Sequence, residues 1–216
     1  MLSLSGAYFG IVSGSCVVFG LLFISSFIVG RGFCGWLCPA GGMQESFSTA
    51  SGNKRFHLGK KNGIKYALWI PWFSSIIVLF LLAAGEKKIQ FFYQLSSKIS
   101  ILEEYALFVY FSLTLLIIVL TLTFGKRVFC HIICWMSPFM VLGNIIKNRL
   151  KIPSLHLKCE PSVCSGCNLC TKNCSMSLDV KKMVQKGDIN HSECILCGEC
   201  VDSCPKKAIR FHFGSH

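Results

Sequence analysis

Eight of the 14 cysteines in this 216-residue chain fall in two runs of the same spacing. The first is Cys164-x-x-Cys167-x-x-Cys170-x-x-x-Cys174. The second is Cys194-x-x-Cys197-x-x-Cys200-x-x-x-Cys204, followed by Pro205. Thiolates so spaced are the ligands of paired [4Fe-4S] clusters, with the fourth cysteine of each run ligating the other run's cluster. That rule assigns cluster one to Cys164, Cys167, Cys170 and Cys204, and cluster two to Cys194, Cys197, Cys200 and Cys174. Short Cys-x-x-Cys loops wrap three corners of a cubane and leave backbone N–H groups to donate to its sulfurs. Zinc, which also accepts four thiolates, is the alternative.

Four more cysteines form a second pattern. Cys34 and Cys38 close the stretch Gly30-Arg31-Gly32-Phe33-Cys34-Gly35-Trp36-Leu37-Cys38-Pro39. Cys130 and Cys134 close Gly125-Lys126-Arg127-Val128-Phe129-Cys130-His131-Ile132-Ile133-Cys134. Both read apolar run, glycine, base, then Phe-Cys-x-x-x-Cys. The spacing puts two thiolates about one helical turn apart on one face, which half-fills a metal centre. Together the pairs supply four ligands, so a third iron-sulfur cluster, [4Fe-4S] or [2Fe-2S], is predicted to be shared between them. Disulfides, idle thiols or a structural zinc are the alternatives. His131 is a candidate replacement ligand, and Cys16 and Cys159 receive no role. The match of Gly30 to Gly35 to GxGxxG is accidental, because no strand precedes it.

These residues must be held by the apolar elements around them. Met1 to Gly30, Tyr66 to Gly85 and Tyr105 to Gly125 are uncharged and long enough to cross a bilayer, predicting helices over about 4–29, 66–85 and 105–125. Arg31, Lys54, Arg55, Lys60, Lys61 and Lys65 face only Glu45 in the first connection, whereas Glu86 to Glu104 is balanced. From Lys126 to Lys158 there are bases and no acid. Basic connections stay inside, so the amino terminus is expected outside and both cysteine pairs at the cytoplasmic face, as parallel repeats. Val128 to Ile146 is apolar enough to span but carries Pro138, two cysteines and a histidine; it is expected to lie along or dip into that face. Trp36, Trp69, Trp72 and Trp135 are expected at the interface and Pro71 to kink the second helix. Phe91, Phe92 and Tyr93 suggest an interfacial helix in the outer connection.

The predicted architecture is a membrane α-helical domain over residues 1–150, with three spanning helices and re-entrant or interfacial CxxxC segments. A small α+β two-cluster ferredoxin domain follows over 151–216, too short to fold on its apolar core alone. A net charge of +12 with 52% hydrophobic and 15% charged residues excludes a disordered tail or an ordinary soluble enzyme. The bases flank apolar helices and form no separate basic domain, which argues against nucleic-acid binding. The predicted spans hold no histidine for haem and no internal ionisable residue for a proton relay, and the chain has no P-loop. Electron transfer through clusters survives these exclusions.

The ordered combination of two CxxxC repeats and a two-cluster ferredoxin resembles the NapH-type membrane iron-sulfur proteins, related to the membrane parts of NosR-type and CcoG-type proteins. The resemblance covers essentially the whole chain. Cys34, Cys38 and Pro39 match the family's CxxxCP, Cys130 and Cys134 its second copy, and the eight ferredoxin cysteines match throughout. It implies an electron-transfer subunit of the cytoplasmic membrane, exchanging electrons between a cytoplasmic redox protein (ferredoxin, flavoprotein or iron-sulfur subunit) and a quinone or membrane redox partner. The rival reading is an assembly, regulatory or metal-reducing protein of the CcoG or NosR kind. The chain departs from the pattern at Ser137-Pro138, where the proline is displaced, at Ser175 in place of a proline after Cys174, and in three spans against four. Lys206 and Lys207 beside Cys204 offer a basic surface to an acidic donor.

Overall fold

The computed structural model describes residues 11–52, 54–56, 63–82, 88–90 and 104–214. Phe91, Phe92 and Tyr93 lie outside them. A short strand β1 (Ile11–Ser13) pairs in parallel with β2 (Lys88–Gln90) and leads into α1 (Gly14–Val29). Within the described residues the expected helix over about 4–29 is a strand at Ile11–Ser13 and a helix from Gly14 onward; residues 4–10 lie outside them. Unbroken apolar sequence has no period to separate strand from helix, and β-branched Ile11 and Val12 suit the extended state. The other long helices are α4 (Ile64–Leu82), which continues through Pro71, and α5 (Glu104–Phe124).

Among the described residues one stretch, Leu107–Phe124, is long and apolar enough to cross a membrane, and only 11% of it is buried. The described parts of the other two expected spans include the shorter apolar helices Gly14–Val29 and Ile64–Leu79. All three are apolar around their whole circumference. Leu21, Ile24, Leu68, Leu81, Phe108 and Leu115 are each more than half exposed.

The predicted repeat is visible in the backbone. α1 is followed by α2 (Gly32–Trp36) and α3 (Pro39–Ala50), and α5 by α6 (Val128–Ile132) and α7 (Ser137–Arg149). Cys130 and Cys134 stand 96 positions after Cys34 and Cys38. In one copy the N–H groups of Leu37 and Cys38 both donate to Phe33 O at 3.0 Å; in the other, Ile133 and Cys134 both donate to Phe129 O at 3.0 Å. Val128 to Ile146 thus breaks after Ile132 and restarts at Ser137.

The copies exchange partners: α1 packs on α7, and α5 packs on α3. Gly143 makes the first crossing possible, since a Cβ there would overlap Ser26 Oγ. Phe139 stacks on Phe19 at 5.2 Å and meets the edges of Trp69, Phe73 and Trp72 at 5.0, 5.4 and 6.4 Å. Trp69 and Trp72 therefore pack against the α1–α7 pair, a role their interfacial preference did not suggest.

The carboxy-terminal part is built on β3 (Ser154–Cys159), antiparallel to β4 (Ile209–Gly214), with Leu157 opposite Phe211. Three short helices, α8 (Leu169–Asn173), α9 (Val180–Gln185) and α10 (Glu199–Asp202), complete it. Its buried core is Leu157, Val180, Val184, Ile189, Leu196 and Ile209. Cys159 packs against that core, its thiol 4.0 Å from Val184 O, as a structural side chain.

Candidate iron-sulfur centres

The eight ferredoxin cysteines are divided by the fold between two pockets. One is lined by Cys164, Cys167, Cys170 and Cys204. The other is lined by Cys174, Cys194, Cys197 and Cys200. Each pocket thus takes three cysteines from one run and the fourth from the other. Left-handed residues shape the entry to the helices: Asn168 precedes α8 and Gly198 precedes α10. α8 packs on α10, which sets the two pockets side by side. Among the described residues no three His, Cys, Asp or Glu side chains converge as around a single ion. Four thiols line each pocket, a donor set that suits an iron-sulfur cluster.

The pockets differ in their surroundings. Cys167 is exposed, and Lys181 and Lys206 line the first pocket. The second is walled by Met176, Leu178, Ile189 and Ile195. Ser175 is 3% exposed, and its hydroxyl lies 3.8 Å from Cys197 Sγ, so the residue that departs from the family pattern sits at a ligand sulfur.

Cys34 and Cys130 are buried, Cys38 and Cys134 half-buried. The quartet is close enough to interact electrostatically: Cys130 with Cys34 and Cys38, Cys134 with Cys130 and Cys34. Arginines at equivalent positions tie the copies together. Arg31 donates from Nη2 to Ser137 Oγ at 2.7 Å, and Arg127 from Nη1 to the Cys34 carbonyl at 2.6 Å. Arg127 also pairs with Glu45 at 2.8 Å and accepts a left-handed φ of 52°. His131 turns towards Phe56, ring centroids 6.0 Å apart, and hydrogen-bonds the Met176 backbone.

The quartet and the second pocket are joined through Gly35 and Glu193. A Cβ on Gly35 would overlap Ile195 O and lie 3.2 Å from Cys197 Cα. Trp36 Nε1 donates to Leu196 O at 2.8 Å. Beside them Glu193 pairs with Arg31 at 2.6 Å and Lys65 at 2.5 Å, all three residues at most 4% exposed. Burial alone would raise the Glu193 carboxyl, but Arg31 and Lys65 hold it at about 2. Neither Gly35 nor Glu193 carries a motif. The only sign at Gly35 is a glycine where the second copy has His131.

Burial pushes several of these thiols up: Cys134 to about 12, Cys194 to about 11, and Cys130, Cys174 and Cys200 in the same direction. They are neutral at physiological pH, so a metal bound there would displace their protons. A buried ring of thiolates is tolerable only around a cation.

The sequence matches family models of this chemistry. A 4Fe-4S binding domain matches twice, over residues 12–60 and 106–153, and a 4Fe-4S dicluster domain matches over 163–209. The chain is an iron-sulfur protein with ferredoxin-type 4Fe-4S domains. Among curated relatives, an uncharacterized protein of Methanocaldococcus jannaschii is 27% identical over 87% of this chain and 67% of its own. "Putative electron transport protein YccM" of Escherichia coli is 24% identical over 84% of this chain and 51% of its own, and "Regulatory protein NosR" of Stutzerimonas stutzeri 27% over 79% and 23%. The chain therefore spans about half of YccM and about a quarter of NosR. No solved structure matches it significantly.

Proposed function

We propose that this chain is a membrane-anchored electron-transfer subunit. It would carry electrons between a cytoplasmic redox protein and a quinone or membrane redox partner. The observation that carries the reading is the continuous line of ligand sets: the pocket of Cys164, Cys167, Cys170 and Cys204, then that of Cys174, Cys194, Cys197 and Cys200, then the quartet of Cys34, Cys38, Cys130 and Cys134, in contact with the second pocket through Gly35. A cluster bound in each takes up and releases single electrons. The chain's residues supply ligands, burial and a fixed spacing. YccM's name points the same way, while NosR's favours regulation; the shared segment is read here as the redox module common to both.

Residues 1–150 form the membrane domain and 151–216 the cytoplasmic ferredoxin domain. Three apolar helices with exposed leucines and phenylalanines support a multi-pass anchor. The charge of the connections places the amino terminus outside and the ferredoxin domain in the cytoplasm, against the inner membrane. Lys181 and Lys206 at the first pocket suit an acidic donor.

Anaerobic iron and sulfide quantitation with EPR tests the third cluster. The Cys34→Ala/Cys130→Ala double variant is expected to lose one cluster's iron and one signal, keeping the two ferredoxin signals. Equal iron in both proteins would remove the third cluster from the scheme. The crossed ligation is tested separately: Cys174→Ala is expected to perturb the centre of Cys194, Cys197 and Cys200, leaving the centre of Cys164 intact. Loss of the Cys164 centre alone would reverse the assignment.

A further inference from the structure

At the cysteine sulfurs the pseudo-symmetry of the quartet is broken by Gln44 and Met140. Gln44 stands six positions after Cys38, and Met140 six after Cys134, so they are counterparts in the two copies. Each reaches across to a cysteine of the other copy. Gln44 Nε2 lies 3.3 Å from Cys130 Sγ, and Met140 Sδ lies 3.6 Å from Cys34 Sγ. Both side chains are fully buried.

The orientation of the Gln44 amide is set by its backbone partners. Oε1 accepts from the N–H of Phe129 at 3.2 Å, which an NH₂ group could not do. Nε2 then donates one hydrogen to Ala40 O at 3.1 Å and has the other for Cys130 Sγ. A buried amide with every group used in this way is fixed. On the equivalent side a thioether offers no hydrogen to Cys34.

We infer that Gln44 is a potential-setting residue for the cluster held by the quartet, donating a hydrogen bond to the Cys130 sulfur that Met140 cannot give to Cys34. This rests on the reading of the four cysteines as one site. A donor at a ligand sulfur stabilises the reduced, more negative state over the oxidised one, so it raises the midpoint. Glutamine and methionine are similar in length and volume, and each copy already accepts one of them. The natural exchange is therefore Gln44→Met and Met140→Gln.

EPR-monitored redox titration of the full chain, purified anaerobically in detergent, provides the test. Gln44→Met is expected to lower the reduced-to-oxidised ratio of the third cluster at fixed potential about tenfold, which is 59 mV for one electron. Met140→Gln is expected to shift it in the opposite sense, and the two ferredoxin midpoints are to stay in place in both variants. If Gln44→Met does not fold, Met140→Gln alone decides the matter. A third signal whose midpoint neither variant moves overturns the role of Gln44 and leaves the shared cluster standing. Absence of a third signal in the wild type overturns both.

Discussion

Glu193→Ala is expected to release the carboxy-terminal dicluster segment from the amino-terminal helices, at a cost of about 3–5 kcal/mol, the usual penalty for stripping a buried charge of its partner. Among the described residues Glu193 is the one acid paired with Arg31 and Lys65, and none of the three is more than 4% exposed. Without it two cations remain buried beside each other, and the loop that opens the second cysteine run loses its anchor to the residue three positions before Cys34. Limited proteolysis with visible absorbance of the clusters measures the release: the 151–216 segment should be cut faster while the ferredoxin absorbance persists. Unchanged protection would mean that the ion triad does not hold the domains together. Converting the whole triad to Arg31→Met, Lys65→Met and Glu193→Leu should recover much of the protection, because the cost lies in the orphaned charges. Glu193→Gln should fall between, keeping shape while losing the charge that Arg31 and Lys65 hold.

The grouping of the eight carboxy-terminal cysteines is legible in the sequence because cysteine spacing is a local property. The assignment of Cys204 to the Cys164 pocket and Cys174 to the Cys194 pocket follows from a rule about runs of four, and the pockets are lined accordingly. The Phe-Cys-x-x-x-Cys repeat likewise shows itself as two identical backbone turns. What stayed hidden is long-range. Apolar helices without a polar face give no hint of which neighbour each takes, so the exchange of α1 onto α7 and α5 onto α3 could not be foreseen. Nor could the pairing of Ile11–Ser13 with Lys88–Gln90, which sets a strand inside the expected first helix. Glu193 counted as one acid in a nearly neutral segment, since nothing nearby in sequence identifies Arg31 and Lys65 as its partners. Gln44 was within reach: extending the 96-residue offset beyond the cysteines pairs it with Met140 and exposes a polar residue where symmetry predicts an apolar one.

Gly35→Val is expected to uncouple the quartet from the second pocket while leaving every ligand in place. The Cβ of any larger residue meets Ile195 O and lies 3.2 Å from Cys197 Cα and 3.3 Å from Cys197 N. These are backbone atoms of a cluster loop, which cannot rotate away as a side chain tip would, so the loop itself must retreat. Trp36, whose indole holds Leu196 O at 2.8 Å, would resist that movement and share the strain. Overpacking of this kind costs about 1–3 kcal/mol. Expressed as a loss of the docked arrangement, that is about 5- to 150-fold. The expected signature is kinetic: freeze-quench EPR after reduction of the ferredoxin clusters should show the proposed third cluster filling more slowly by a factor in that range, with all signals and the iron content retained. Gly35→Ala should lie at the lower end, because its single methyl demands the smaller displacement. An unaltered filling rate in Gly35→Val would place the electron path elsewhere than across Gly35 and Cys197. A loss of iron would instead show that the loop cannot retreat without surrendering Cys197, making the close approach a condition of cluster binding as well as of transfer.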